Sequence, residues 1–207
     1  MQRWATEQGG YWPGQKWFTG DFNADGKDDL AKVFNDRGQA TIDVHISNGN
    51  GFTMQRWTTR QGGFWDEQKW LVGDFNADGK DDLAKVFNDR GKGLASIDVH
   101  LSSGNGFTME RWATSQGGYW DGQKWFVGDF DGDGKDDMGK AFNDNGLASI
   151  DFHISTGKGF IMHRAATRQG GFWPEQQWFV GDFDGDGRDE PGKVFSANGL
   201  ASMDVYI

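Results

Sequence analysis

Residues 20–34 read GDFNADGKDDLAKVF, and close copies of this stretch return at residues 73–87, 128–142 and 181–195. Each copy lies in a unit of roughly 53 residues that opens at a glutamine, namely Gln15, Gln68, Gln123 or Gln176. A tandem repeat of this length indicates a solenoid, a propeller or an array of small units. The sequence therefore predicts four copies of one structural unit.

Each copy contains four short runs in which apolar and polar residues alternate between Gly, Asn and Asp turns, as in β-strands. In the first copy these runs are KWFTGDF, DLAKVFN, TIDVHISN and the run that begins GFTMQRW. No stretch keeps an apolar period of 3.6 residues for ten residues, which excludes a helical solenoid. Four strands in a unit of this length are typical of a propeller blade. We therefore predict an all-β, four-bladed β-propeller with four antiparallel strands per blade. It forms one domain, 1–207, with repeats at about 15–67, 68–122, 123–175 and 176–207 plus 1–14.

The two ends of the chain match complementary parts of one unit. MQRWATE, residues 1–7, corresponds to a fourth strand, and ASMDVYI, residues 201–207, corresponds to a third strand. Pairing of Met1–Thr6 beside Ser202–Ile207 would complete the last blade and protect strand edges that otherwise favour aggregation. We therefore expect a ring closed by the terminal strands, as a monomer. An open stack of four units is the alternative.

Composition narrows the class of protein. Thirty-three glycines, three prolines and eleven tryptophans suit a turn-rich all-β fold, and the lack of cysteine rules out disulfides. The net charge of −10 argues against a nucleic-acid partner. No run of about 18 apolar residues predicts a membrane span. The opening residues do not resemble a signal peptide, yet we expect a secreted or extracellular protein.

Much of the acid lies in the four DxNxDG or DxDxDG loops. Oxygen-bearing side chains stand at loop positions 1, 3, 5 and 9, glycine stands at 6, and position 7 can offer its carbonyl. Ca²⁺ takes six to eight such oxygens. An acidic hairpin turn is the alternative, but four copies in register favour about four structural Ca²⁺ ions. The predicted metal residues are Asp21, Asn23, Asp25, Lys27, Asp29, Asp74, Asn76, Asp78, Lys80, Asp82, Asp129, Asp131, Asp133, Lys135, Asp137, Asp182, Asp184, Asp186, Arg188 and Glu190.

The GDFNADGKDDLAKVF motif, followed by a strand and NGNGF, resembles the FG-GAP/VCBS repeat. That repeat occurs in the propellers of integrin α-subunits and in bacterial and fungal propeller lectins. The resemblance covers essentially the whole chain and implies that each calcium loop joins the innermost strand of a blade to the second. The chain departs from the integrin-like pattern in having four units rather than seven.

A Gly-Gly-aromatic-Trp segment precedes each first strand. Neighbouring residues in an extended segment point in opposite directions, so one ring can enter the core while the other faces out and stacks on a sugar. Wedging of both rings between blades is an equal alternative, and Trp17, Trp70, Trp125 and Trp178 are expected in the core. The candidate ligand-binding aromatics are Tyr11, Trp12, Phe64, Trp65, Tyr119, Trp120, Phe172 and Trp173.

The third strand of the first three copies carries an Asp-x-His pair, with both side chains on one face of the strand. Such a pair can be catalytic, but no serine or cysteine nucleophile recurs beside it, and Tyr206 replaces histidine in the last copy. A structural or ligand-lining role is favoured over catalysis. These further candidates are Asp43, His45, Asp98, His100, Asp151 and His153.

Repetition itself favours binding over catalysis, because several weak sites combine into avidity on a polyvalent surface. We therefore predict a calcium-stabilised, multivalent, lectin-like protein that binds glycans or glycoconjugates and is not an enzyme. A protein-binding module of a larger adhesin, toxin or hydrolase is the first alternative. A glycan-cleaving enzyme is the second.

Overall fold

The computed structural model describes residues 1–207, apart from the side chain of Arg90. Within them it contains fifteen β-strands, and the helical structure is limited to a 3₁₀ turn at Asp89–Gly91. The strands are β1 (Lys16–Gly20), β2 (Asp29–Asp36), β3 (Gln39–Ser47), β4 (Phe52–Thr58), β5 (Lys69–Gly73), β6 (Asp82–Asn88), β7 (Ala95–Ser102), β8 (Phe107–Ala113), β9 (Lys124–Gly128), β10 (Asp137–Asp144), β11 (Leu147–Ser155), β12 (Phe160–Ala166), β13 (Gln177–Gly181), β14 (Glu190–Ala197) and β15 (Leu200–Val205).

Consecutive strands form four separate sheets, in the orders β1-β2-β3-β4, β5-β6-β7-β8, β9-β10-β11-β12 and β13-β14-β15. The pairings that define the first, third and fourth sheets are antiparallel. Each sheet holds one sequence repeat, because short turns join strands that are adjacent along the chain. The predicted all-β, four-bladed propeller architecture is thereby confirmed, with strands placed where the alternating runs indicated.

The pairing predicted for the chain ends is not found. The fourth sheet has three strands and ends at β15, and no strand is described between Met1 and Gln15. Trp4 instead packs on Phe52 at 5.9 Å between ring centroids. The physical reason is that no hairpin turn joins this short segment to β15, so nothing local fixes its register or offsets the entropy of closure.

Turn chemistry fixes the hairpin between the second and third strands. In the first sheet both central residues have positive φ, at Arg37 (57°) and Gly38 (83°), as a type I′ turn requires. Asn145-Gly146 and Asn198-Gly199 occupy the same turn in the last two sheets, also with positive φ. The second copy carries a small sequence insertion here, and its longer connection contains the Asp89–Gly91 3₁₀ turn.

The chain forms two compact units, one comprising 1–74, 78–87 and 97–111, and the other 75–77, 88–96 and 112–207. The core of the first unit is built around fully buried Phe22, Val33, Ile42 and Leu83. The core of the second unit is built around Phe126, Ile150 and other buried apolar residues of its sheets. Each large side chain buried in this way contributes roughly 1.5–3 kcal/mol of hydrophobic stabilisation.

Candidate metal loops and aromatic ligand sites

Each acidic loop is held in a tight coil by its own side chains. Asp21 accepts hydrogen bonds from the backbone nitrogens of Asp25 (3.1 Å) and Gly26 (2.7 Å). Asn23 accepts from Asp25 N at 2.9 Å, and Asp25 accepts from Lys27 N at 3.0 Å. The loops beginning at Asp74, Asp129 and Asp182 have the same kind of bonds. The oxygens at positions 1, 3 and 5 are therefore gathered on the inside of one turn.

The acid at position 9 is the first residue of the second strand and is buried in every copy. One oxygen of Asp29, Asp82 or Asp137 accepts a backbone bond of 2.7–2.8 Å from Ser47, Ser102 or Ser155, respectively. Burial, the largest cause, raises the pKa of Asp29 to about 6, of Asp82 to about 8 and of Asp137 to about 7. Neighbouring loop carboxylates raise these pKa values further.

The second oxygen of this buried acid gives a test of metal fit in the first two loops, whereas in the last two it accepts a backbone bond, from Phe130 N at 3.1 Å or from Phe183 N at 2.9 Å. Oδ2 of Asp29 and Oδ2 of Asp82 have no hydrogen-bond partner although both atoms are buried. An unpaired buried carboxylate oxygen is costly, and a hard cation in the loop would satisfy it. In the last two loops, three carboxylates lie with oxygens within 4.8 Å of one another, namely Asp129, Asp131 and Asp137, and Asp182, Asp184 and Glu190. Two oxygens bound about 2.4 Å from one Ca²⁺ are at most about 4.8 Å apart, so the donor set suits this ion.

Lysine at position 7 adds a contact that the motif did not reveal. Lys27 Nζ lies 3.3 Å from Asp25 Oδ1, and Lys80 Nζ lies 3.1 Å from Asp78 Oδ2. Lys135 pairs with Asp133 in the same way. The side chain thus partly neutralises the acid at position 5, whereas the metal role predicted for position 7 concerns the backbone carbonyl.

Adjacent loops are tied together by the acid at position 8, which sequence reasoning missed. Asp81 Oδ2 accepts from Asp21 N at 2.7 Å, and Asp81 N donates to Asp21 O at 3.0 Å. Asp189 and Asp129 repeat both bonds. A Cβ on Gly20 would lie 2.7 Å from this Asp81 oxygen, and one on Gly128 would lie 2.8 Å from Asp189 Oδ2, so glycine before the first and third loops permits the close approach. The repeated Gly-Asp-Phe was the available signal.

In three copies, the first ring of the aromatic pair is buried and the second is at least partly exposed. Phe64, Tyr119 and Phe172 are buried, whereas the tryptophan that follows each is partly exposed. In the first copy Tyr11 is also exposed, at 85%. Among the tryptophans expected in the core, Trp70 is buried and Trp17 is 39% exposed. The structure thus leaves Trp12, Trp65, Trp120 and Trp173 at least partly exposed, and buries the preceding ring in every copy except the first.

A glutamine braces each aromatic loop. Gln68 Oε1 accepts from Trp65 N at 3.2 Å, and its Nε2 donates to Gly63 O at 2.9 Å. Gln15, Gln123 and Gln176 repeat both bonds. The tryptophan ring then packs edge-on against a phenylalanine of the second strand, at centroid distances of 5.3–5.5 Å for Phe34, Phe87, Phe142 and Phe195. Each tryptophan is therefore presented by a fixed loop.

The Asp-x-His pairs, for which the sequence leaves a structural and a ligand-lining role both open, are buried. Asp43, Asp98 and Asp151 are at most 3% exposed, and His45, His100 and His153 at most 4%. Burial and the nearby lysine lower the pKa of His100 and of His153 to about 3, so both imidazoles are neutral at physiological pH. Each histidine ring contacts the tryptophan of the first strand in a tilted arrangement, at 5.2–5.4 Å between ring centroids. Their position favours the structural alternative, because an outward-facing side chain was needed for ligand contact.

The aspartates are held in a charged row that the sequence prediction omitted. Lys32, Lys85 and Lys140 are buried, and their Nζ atoms lie 2.9, 3.0 and 3.1 Å from Oδ2 of Asp43, Asp98 and Asp151. The other aspartate oxygen pairs with Nε of Arg56, Arg111 or Arg164, respectively. A lysine at one position of all four second strands, between apolar residues, was the signal that could have revealed it.

Each of these arginines also contacts the aromatic site. The guanidinium of Arg111 lies 5.0 Å from the centroid of Phe87, the ring on which Trp65 packs. Arg56 and Arg164 lie 5.4 and 5.0 Å from Phe34 and Phe142. A partly exposed tryptophan and a partly exposed arginine thus flank one phenylalanine in the first three copies. We call this arrangement the Trp–Phe–Arg site.

Comparison with solved structures agrees with the fold. A chain of the Photorhabdus luminescens Tc holotoxin pore superposes with a TM-score of 0.65 and 14% identity over 90% of this chain. A Bacillus licheniformis rhamnogalacturonan lyase (TM-score 0.52, 18% identity, 85% of this chain) and rhamnogalacturonan lyase YesW (0.51, 16%, 86%) are also similar. This chain spans 9% of the toxin chain and 39% and 40% of the two lyases.

The likeness rests on structure alone. No protein-family profile matches the chain, and a search of curated proteins gives no match. At 14–18% identity these neighbours establish the fold and no shared activity. No helix in the described part of the chain has the length and apolarity needed to cross a membrane.

Proposed function

We propose that this protein is a calcium-stabilised, multivalent glycan-binding module without catalytic activity. The observation that carries the proposal is the partly exposed tryptophan that a glutamine-braced loop presents at the same place in every repeat. An indole face stacks on the C–H face of a sugar ring, and loop backbone groups and the neighbouring arginine can bond its hydroxyls. A fixed loop lowers the entropic cost of binding.

The geometry favours binding over catalysis. The Asp-x-His pairs are the constellation in this chain that most resembles catalytic machinery. Their aspartates are occupied by lysine and arginine, and their imidazoles are buried. A general base must reach the proton that it removes. Similar sites in several repeats instead suit a protein whose strength of attachment grows with the number of engaged copies.

Calcium is proposed as the structural ion of the four acidic loops. The buried acid at position 9 and the inward oxygens at positions 1, 3 and 5 would hold it, with the carbonyl at position 7 as a further donor. The unpaired Oδ2 atoms of Asp29 and Asp82 support this assignment. When bound, the ion supplies positive charge that keeps clustered carboxylates together. A member of the FG-GAP/VCBS repeat family would be expected to use its loops in this way.

Glycan arrays with calcium, followed by calorimetric titration with the methyl glycoside of the best-bound sugar, test the binding proposal. Trp65→Ala should lower the binding stoichiometry by one site and leave the affinity of the remaining sites unchanged. Phe64→Leu is the matched control, because Phe64 is buried beside it and should affect stability rather than stoichiometry. If Trp65→Ala retains every site but melts at a lower temperature, the indole serves packing and the proposed site is wrong.

A protein-binding role inside a larger assembly is the second candidate. The observation that favours it is the likeness to part of a toxin pore complex, in which a chain of this size is 9% of the polypeptide. The same exposed tryptophans and arginines are typical of hot spots in protein interfaces. An array on which no glycan binds in the presence of calcium would favour this candidate.

A further inference from the structure

The Trp–Phe–Arg sites carry a positive charge at the surface although the chain as a whole is acidic. The side chains of Arg56, Arg111 and Arg164 are 49%, 42% and 44% exposed. Trp12, Trp65 and Trp120 beside them are 41%, 38% and 43% exposed. A ligand that packs on the exposed indole can therefore also contact the arginine side chain beside it.

In each of the first three copies a lysine and an arginine share one buried carboxylate. In the second copy, buried Lys85 and exposed Arg111 share Asp98, so two positive charges face one carboxylate. Further exposed charges nearby are themselves paired: Asp36 with Arg60 in the first copy and Asp144 with Arg168 in the third. The densest acid lies in the metal loops, which adjoin the opposite ends of the second strands. Asp66 and Glu67 follow Trp65, and Asp121 follows Trp120, so the positive charge of a site lies at its arginine and not along the whole loop.

The bonding of the arginine leaves it able to bind an anion. A guanidinium has five N–H donors arranged in a planar fork. One aspartate occupies only one edge of that fork. In the first copy, Nε and Nη2 of Arg56 donate to the carboxylate of Asp43. The remaining edge can meet a carboxylate or sulfate, which makes shorter and stronger hydrogen bonds with arginine than a hydroxyl does.

We propose that the Trp–Phe–Arg sites of the first three repeats select sugars that bear a carboxylate or a sulfate. The sugar ring stacks on the tryptophan, and its anionic substituent bonds to Arg56, Arg111 or Arg164. This inference rests on the proposed glycan binding and names the class of glycan.

The fourth repeat provides an internal control. Trp173 packs on Phe195 at 5.4 Å, as in the other copies. Its sheet ends at β15, however, and among the described side chains Asp204 has its ion pair with Lys193 and none with an arginine. Within its own sheet, the fourth site therefore has the tryptophan and the phenylalanine but no arginine paired with Asp204. Three sites should prefer an acidic sugar, and the fourth should not.

The test is an array in which each neutral oligosaccharide stands beside its uronate and its sulfated counterpart, probed with the full chain in calcium. We expect the acidic member of a pair to bind about tenfold more tightly at low salt, and this preference to shrink as salt screens the charge. Titration with the best acidic probe should then give three strong sites.

Arg111→Gln removes the charge but keeps an amide that can bond to Asp98. It should weaken binding of the acidic sugar at one site about tenfold and binding of the neutral sugar much less, so that this site loses its preference for the acidic partner. Lys158→Gln, which makes the same charge change on an exposed loop between β11 and β12, should alter nothing. Equal binding of neutral and acidic partners, with dependence on tryptophan retained, would overturn the charge selection and leave glycan binding intact. If the protein binds no sugar on the array, both the proposed glycan binding and the proposed selection of acidic sugars are wrong.

Discussion

Single residues show how this small protein keeps charged groups inside. Lys85 is 1% exposed, and its ammonium is compensated by Asp98 at 3.0 Å, by Gly63 O at 3.4 Å and by the rings of Trp70 and Phe87 at 5.8 and 5.3 Å. Burial lowers the pKa of Lys85. Together, these contacts offset the free-energy cost of burying the ammonium charge in a low-dielectric site. The histidine on the same strand as Asp98 has no such compensation and stays neutral.

We predict that His100 and His153 remain neutral between pH 8 and pH 5 in the folded protein. Burial, followed by repulsion from Lys85 or Lys140, lowers the pKa of each to about 3. An unfolded histidine protonates near 6.5, so this burial stabilises the fold above that pH and loses effect as the pH falls below it. NMR of the imidazole Cε1–H groups, assigned with His100→Gln and His153→Gln, measures this directly. A titration midpoint near 6 for either residue would contradict the described packing.

At the level of the element, the charged row follows from strand register. In the first sheet Trp17 pairs with Lys32, Lys32 with Asp43, and Asp43 with Arg56. Directly opposed residues of antiparallel strands place their side chains on the same face. The row therefore crosses all four strands, from a half-exposed tryptophan to an exposed arginine. In the fourth sheet the row ends at Asp204, on the edge strand.

That difference gives a matched pair of substitutions. Asp98→Ala leaves Lys85 and one face of Arg111 without a carboxylate in a buried position, and should lower the free energy of unfolding by about 3–5 kcal/mol. Asp204→Ala should cost less, because the Asp204 side chain is 45% exposed, its ion pair is with Lys193 alone, and Lys193 keeps Gly171 O at 2.9 Å. Urea unfolding in calcium measures both. Similar losses in the free energy of unfolding for the two variants would show that the buried charged row contributes no more to stability than the exposed pair.

At the scale of the whole molecule, the acidic loops concentrate negative charge and connect neighbouring repeats. The chain has a net charge of −10 and no disulfide. Within the first unit Asp81 ties its loop to Asp21, and within the second unit Asp189 ties its loop to Asp129. If an ion binds in one loop, we expect it also to stabilise the neighbouring repeat whose loop is bonded to it. Metal occupancy and the stability of the folded chain are expected to be coupled.

We predict that calcium raises the melting temperature and that excess chelator lowers it, since binding to the folded state alone stabilises by RT ln(1 + [L]/Kd) at each site. Asp82→Asn should reduce the calcium-dependent part of this shift and lower the calorimetric stoichiometry from about four to about three. Lys158→Gln is the control. Coincident melting curves in calcium and in chelator would refute the metal assignment.

The sequence by itself determined the repeat, the strands and the loops, because these depend on local patterns: an alternation of period two, Asn-Gly and Asp-Gly turns, and oxygens at alternate loop positions. It also marked Trp65 and its equivalents as candidates. The tertiary structure alone decided which ring of each pair stays outside, that Asp98 and His100 lie buried, and that Lys85 and Arg111 share one carboxylate. These outcomes depend on contacts between residues distant in sequence. The same dependence explains why residues 1–7, which match a fourth strand locally, form none: a strand needs a paired neighbour, and local pattern does not supply one.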